Sequence, residues 1–169
     1  MNWLSDMQTV DLNRAPGLCK QAKALYHTAF PKEERLPWWL LRLNARRSGI
    51  DLTAFMDGDT FCGFTASATV ENMHFLLFFA IPEDLRGRGY GSAILSQLRQ
   101  NYEVVTLNVE LLDETAPNYP QRLQRFAFYQ KNGFDFALKC TCSGLFVLLG
   151  LVNCVYAFSA RKGDRRFGV

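Results

Sequence analysis

MHFLLFFAIPEDLRGRGYGS, residues 73–92, joins two opposite chemistries end to end. Met73 to Ile81 is a near-continuous apolar run, the mark of a strand buried on both faces, and Pro82 ends it. Leu85 to Ser92 is rich in glycine and opens a helix over Tyr90 to Asn101, with Ala93, Ile94, Leu95 and Leu98 on its inner side. A helix N-terminus exposes unpaired backbone N–H groups and carries a partial positive charge. Gly87, Gly89 and Gly91 remove Cβ atoms that would hold an anion away, and Arg86 and Arg88 add charge-assisted donors. A strand, then this turn, then a helix is therefore read as a cradle for a phosphate or pyrophosphate. The plainer alternative is a tight turn whose glycines serve only its backbone angles.

Two other phosphate sites fit less well. A Rossmann turn wants G-x-G-x-x-G with an acid about 20 residues further on. Glu110 sits near that distance, but the glycines run G-x-G-x-G and no second strand–helix–strand half follows. A P-loop is excluded because no Gly-Lys-Ser/Thr is present.

Working outward, residues 2–10 read as a strand, and residues 18–30 as a helix stopped by Pro31. Residues 36–47 read as a second helix with Pro37 near its first turn. The period then changes to two. Residues 51–56 and 60–69 are strands joined through the hairpin signal Asp57-Gly58-Asp59. After the glycine turn and its helix come a strand over 104–111, a polar loop over 113–120 and a helix over 121–131 capped by Asn132-Gly133. Strands over 134–140 and 153–160 complete the order. Consecutive strands favour antiparallel pairing, and the unit from Met73 to Leu111 requires a right-handed parallel crossover. The expected fold is α/β (mixed α+β): a mixed, mostly antiparallel sheet of about seven strands with helices on both faces.

Composition bounds the function. The 169 residues suit one domain, 1–169, with a frayed basic tail over 161–169. A net charge of +3 is too weak to argue for a nucleic-acid partner. Five cysteines, an odd number without a Cys-x-x-Cys pair, point to no metal and to reduced thiols in a cytoplasmic protein. The uncharged stretch 141–160 resembles a C-terminal membrane anchor. Its strongly apolar part, 145–158, is shorter than a span and broken by Gly150 and Asn153, so two buried strands explain it as well.

Arg86-Gly87-Arg88-Gly89-Tyr90-Gly91 resembles the R-x-x-G-x-G/A signature of the GNAT acetyltransferase superfamily. Phe128-Tyr129-Gln130-Lys131-Asn132-Gly133-Phe134 resembles its F-Y-x-x-x-G-F block, in the right order along the chain. The resemblance runs from end to end in element order. It implies acetyl-CoA as acyl donor, without a metal, and a small-molecule or peptide amine as acceptor. It also implies that the fourth and fifth strands splay apart. The pantetheine arm would lie in that gap against the backbone near Phe79 and Ile81, and the pyrophosphate on the amides of Gly87, Arg88, Gly89, Tyr90, Gly91 and Ser92. Dimerisation is common in the family and is not read from these residues.

Thioester aminolysis needs a neutral amine, a donor for the developing oxyanion and a proton for the leaving thiolate. The resemblance assigns the last to Tyr129, a phenol that stays protonated at neutral pH; the alternative is a packing tyrosine beside Phe126 and Phe128. Where some family members carry a Glu ahead of the glycine turn, this chain reads His74-Phe75-Leu76-Leu77. Glu110 is the first candidate for base or amine anchor, with Glu34 and then His74 behind it. Glu110 can equally serve only to pair with Arg122 or Arg125, and His74 only to pack. Residues 31–37 and 143–152 are expected to border the acceptor, where Glu33, Glu34, Asp113 and Glu114 would attract a cation. Trp38 and Trp39 either line that pocket or pack their helix. Two other functions fit the residues: a CoA-binding sensor without catalysis, and a C-terminally anchored interaction protein.

Overall fold

The structure, a computed structural model, describes residues 7–47, 49–110, 112–137 and 156–161. In chain order the elements are β1 (Gln8–Asp11), α1 (Pro16–Ala29), α2 (Trp38–Asn44), β2 (Ile50–Asp57), β3 (Thr60–Val70), β4 (Met73–Ala80), α3 (Tyr90–Asn101), β5 (Val104–Val109), α4 (Tyr119–Lys131), β6 (Asp135–Ala137) and β7 (Tyr156–Arg161). Single 3-10 turns at Lys32–Glu34 and Glu83–Leu85 lead into α2 and α3. The strands form one mixed sheet in the order β1-β2-β3-β4-β5-β7-β6. Among the described residues only β4 and β5 run parallel, joined by the crossover through α3.

Each sheet face carries its own core. On one face Tyr26 of α1 is wholly buried among Phe30, Trp38, Phe64 and Phe78, and its hydroxyl donates to the Leu36 carbonyl at 3.1 Å. Burial pushes that phenol up to about 12. On the other face α3 and α4 bring Ile94, Leu95, Leu98, Tyr129 and Phe134 against Phe55, Leu76, Val105 and Leu107. Truncating a buried aromatic such as Phe64 to Ala would cost about 3–5 kcal/mol.

Strand β4 faces both cores, and a bulge exchanges its two faces part-way along. Ala66 pairs with Phe78 and Ser67 with Leu76, which leaves Leu77 as an extra residue. A one-residue shift exchanges faces: Leu76 packs on the α3 side, whereas Phe78 and Ala80 pack under α1.

Several element limits differ from those read in the sequence. Helix α2 covers Trp38–Asn44, shorter than 36–47, with Pro37 as its N-cap. Helix α4 starts inside the expected loop, at Tyr119, with Pro120 in its first turn, where a missing N–H costs nothing. Helix α1 begins at Pro16 for the same reason. The expectations for residues 2–6, 138–155 and the tail beyond Arg161 lie outside the described residues. The last part of the uncharged stretch, Tyr156 onward, is β7, paired antiparallel with β5. Among the described residues no helix is long and apolar enough to cross a membrane.

Candidate active site

The register between β4 and β5 runs from Met73↔Val104 to Leu76↔Leu107 and stops there. Beyond it β5 continues against β7, and β4 against β3. The two parallel strands therefore part at Leu77, where the bulge sits, and β4 runs on past the end of their pairing toward the glycine turn. A strand edge freed in this way offers backbone donors and acceptors to an extended ligand.

The turn is shaped for close approach. Gly87 (φ 75°) and Gly89 (φ 90°) both lie in the left-handed region that favours glycine. Gly89 is the N-cap of α3 and supplies no side-chain cap, and the first turn holds no acidic residue. The N–H groups that a helix start leaves without an internal partner are thus not claimed by a capping side chain. Gly91 is also a packing position: a Cβ there would lie 3.0 Å from Phe128 Cζ and 3.7 Å from Ile81 Cγ1. It lets α3 pack against α4. Arg86 and Arg88 are exposed; Arg86 Nε donates to the Ile81 carbonyl at 3.4 Å and so braces the exit from β4. The Tyr90 hydroxyl donates to Asp57 Oδ2 at 3.0 Å, tying the turn to the β2–β3 hairpin. Neither the Asp57 tie nor the Phe128 contact is signalled in the sequence, because each joins residues more than thirty positions apart.

Tyr129 lies on α4, buried against Phe128 and Phe134 at ring-centroid distances of 5.3 and 6.0 Å. Burial pushes its phenol up to about 12, against the opposing charge of Arg125. Glu110 directly follows β5. Its carboxylate meets Arg125 Nη1 at 2.9 Å and Arg122 Nη2 at 3.6 Å, and accepts from Asn118 Nδ2 at 3.2 Å. Arg122 Nε in turn donates to Asn118 Oδ1 at 2.7 Å. Glu34 reaches the same group of charges from the α1–α2 connection. Desolvation first, and then the charge of Glu110, push it above the usual carboxylate range, while Arg125 and Arg122 pull the other way. The two carboxylates singled out in the sequence are thus brought into one charged cluster, and Glu33 joins it only through its charge on Glu34.

His74 is placed elsewhere. It pairs with Val105 in the joined part of the two strands and stacks on Tyr102, the C-cap of α3, with centroids 3.7 Å apart. The twelve residues of α3, about 18 Å of helix, separate that end from the glycine turn. Trp38 is buried, whereas Trp39 is 66% exposed. Among the described residues no group of His, Cys, Asp and Glu could hold a metal ion.

No protein-family model and no curated protein matches the sequence. Solved structures do match. A GNAT-family protein from Bacteroides thetaiotaomicron is 21% identical and superposes with a TM-score of 0.71, over 94% of this chain and 88% of that one. An aminoglycoside 6'-N-acetyltransferase complexed with coenzyme A gives 14%, 0.66, 92% and 96%. The ribosomal-protein-S18-alanine N-acetyltransferase of Escherichia coli gives 15%, 0.57, 93% and 94%. The fold is that of the GNAT acetyltransferases.

Within the GNAT fold of this chain, Glu110 follows the end of β5 and the glycine turn follows the end of β4, so both come after the point where the parallel strands part. Phe79 and Ile81 lie on the freed length of chain between bulge and turn, partly buried against the α3-side core.

Proposed function

We propose that the chain is an acetyl-CoA-dependent N-acyltransferase acting on a primary amine in a ternary complex. The observation that carries this reading is the parting of β4 from β5 at Leu77, directly ahead of an uncapped helix N-terminus with two left-handed glycines. An extended ligand with a pyrophosphate at one end fits that groove. Arg86, Arg88 and the amides of residues 87–92 would hold the phosphates, and the backbone near Phe79 and Ile81 the arm. The residues suit the group, since no carboxylate occupies the first turn of α3. Two of the structural neighbours are described as complexes with coenzyme A, which supports the same cosubstrate here.

Acetyl-CoA supplies the thioester carbonyl that the amine nitrogen attacks; the C–N bond forms and the C–S bond breaks. Tyr129, held protonated by burial, gives the leaving sulfur its proton. Glu34 takes the proton that the amine loses. Its raised pKa suits that task, whereas the oxygens of Glu110 are engaged by Arg122, Arg125 and Asn118. Glu110 instead anchors the guanidinium groups of Arg122 and Arg125, whose charges act on Glu34. Most of the rate comes from holding both substrates together. The buried free thiols of Cys19 and Cys62 fit a reducing, cytoplasmic setting.

Thiol release from acetyl-CoA, measured over a panel of amines, tests the assignment. Tyr129→Phe should lower turnover by about 100-fold or more with acetyl-CoA affinity unchanged. Glu34→Gln should remove the acid limb of the kcat/KM profile. Turnover unaltered by Tyr129→Phe contradicts its role. Tight CoA binding without transfer to any amine favours a sensor.

A further inference from the structure

A cavity of about 150 Å³ lies between α3 and the sheet, at the helix end remote from the glycine turn. Thr53, Thr65 and Ser67 line it from β2 and β3, the last two almost wholly buried. Under a helix, a sheet face ordinarily carries aliphatic side chains; here it carries hydroxyls. Two further lining residues, His74 and Gln97, each hold a buried polar atom with no hydrogen-bond partner among the described residues: His74 Nε2 and Gln97 Oε1.

Both side chains are fixed by their other ends. Gln97 Nε2 donates to the Met7 carbonyl at 3.0 Å, so the amide cannot flip without setting oxygen against oxygen, and Oε1 is an acceptor. His74 Nδ1 lies 2.9 Å from Thr69 Oγ1, and the ring stacks on Tyr102. We take Thr69 as the donor to Nδ1, the tautomer that puts the imidazole proton on Nε2 and makes that atom a donor. Burial holds His74 down to about 4, so it is uncharged at neutral pH. A donor and an acceptor left unmatched in one cavity are met together by a hydroxyl, which accepts from the first and donates to the second.

The remaining wall sets the charge. Asp51 is the charged lining residue among those described, and it is exposed, as are Thr9 and Asn101, so the cavity opens on that side. Desolvation and the neighbouring charge of Asp11 both raise Asp51, the condition that an added cation relieves. The C-terminal end of α3 adds a partial negative charge. The basic residue of its last turn, Arg99, is turned to the Asn132 carbonyl at 2.8 Å.

We propose that this cavity binds a small hydroxylated primary amine, its hydroxyl between His74 and Gln97 and its ammonium at Asp51. A cavity of this size takes a molecule of about six non-hydrogen atoms, as one benzene fills a comparable volume. The site lies apart from the glycine turn, Tyr129 and the Glu34–Glu110 cluster, and it does not rest on the acyl-transfer reading.

Three probes of similar size separate the parts: ethanolammonium chloride, ethylammonium chloride without the hydroxyl, and ethylene glycol without the charge. Each is titrated into the full chain at constant ionic strength while the His74 ring resonances are followed by NMR. Ethanolammonium is expected to shift them to saturation with a Kd at least tenfold below the other two. Asp51→Asn, a change at an exposed position that keeps the shape, is expected to erase that advantage. Equal response to all three, no response of His74, or an advantage that survives Asp51→Asn overturns the proposal. A response to ethylene glycol alone would likewise overturn it and make the cavity a neutral polyol site, and silence would make it a water site.

Discussion

At its N-terminal end α3 meets its surroundings through Gly87, Gly89 and backbone amides; at its C-terminal end it closes on His74, Thr69, Gln97 and Tyr102. The first end is made of main chain and needs only the right φ angles at two nearby positions. The second is assembled from side chains on β2, β3, β4 and the helix, and its polar atoms stay uncharged through burial. A site made of backbone should suffer most from a change in conformational freedom. One made of buried side chains should suffer most from a change in protonation.

Exchanging the material at either end separates the two. The largest effect should come from acid. The unfolded chain protonates a histidine near 6.5, whereas folded His74 does so only near 4. Between those values the unfolded state holds the extra proton, so stability falls as pH is lowered through the window, by about 3 kcal/mol. His74→Gln should lose that slope; parallel curves for the two proteins in denaturant titrations at pH 7, 5.5 and 4 would show that burial of His74 does not set it. Next in size, Gly89→Ala forces a Cβ onto φ 90° and should cost about 2 kcal/mol, with weakened acetyl-CoA binding. Gly91→Ala, which has only to displace the Phe128 ring tip, should cost about 1 kcal/mol. If the two glycines reverse in order, packing and not backbone freedom shapes the turn. The smallest change is expected at Arg125, whose side chain is 51% exposed in its pair with Glu110. Arg125→Met should cost about 0.5 kcal/mol, since Arg122 and Asn118 still hold that carboxylate. Because Arg125 pulls Glu34 down, its loss should move the acid limb of kcat/KM upward.

What could be read from the sequence divides along the same line. The apolar run of β4, the glycine turn and the period of α3 are local, so the strand–turn–helix unit and the mixed sheet around it were legible. The bulge at Leu77 was not, because a run apolar on both faces hides a change of face. The start of α4 was misread as loop because Pro120 reads as a breaker until its place in the first turn is known. Glu110 and Glu34 could be named as candidates from their positions beside the expected gap. The pairing of Arg122 and Arg125 with Glu110, and their pull on Glu34, joins residues far apart in the chain and is visible only in the structure. The cavity at His74 was beyond reach. A histidine in an apolar strand looks like packing until Gln97, ninety residues from its partner Met7, is seen beside it.

The most direct test of the account is calorimetric titration of the purified chain with acetyl-CoA and, separately, with NADH, repeated on Gly89→Glu. That substitution sets a strained, negatively charged side chain at the N-cap of α3. Acetyl-CoA is expected to bind and NADH not to, and the variant to stay folded but lose acetyl-CoA. Binding of NADH without acetyl-CoA, or acetyl-CoA binding untouched by Gly89→Glu, would contradict it.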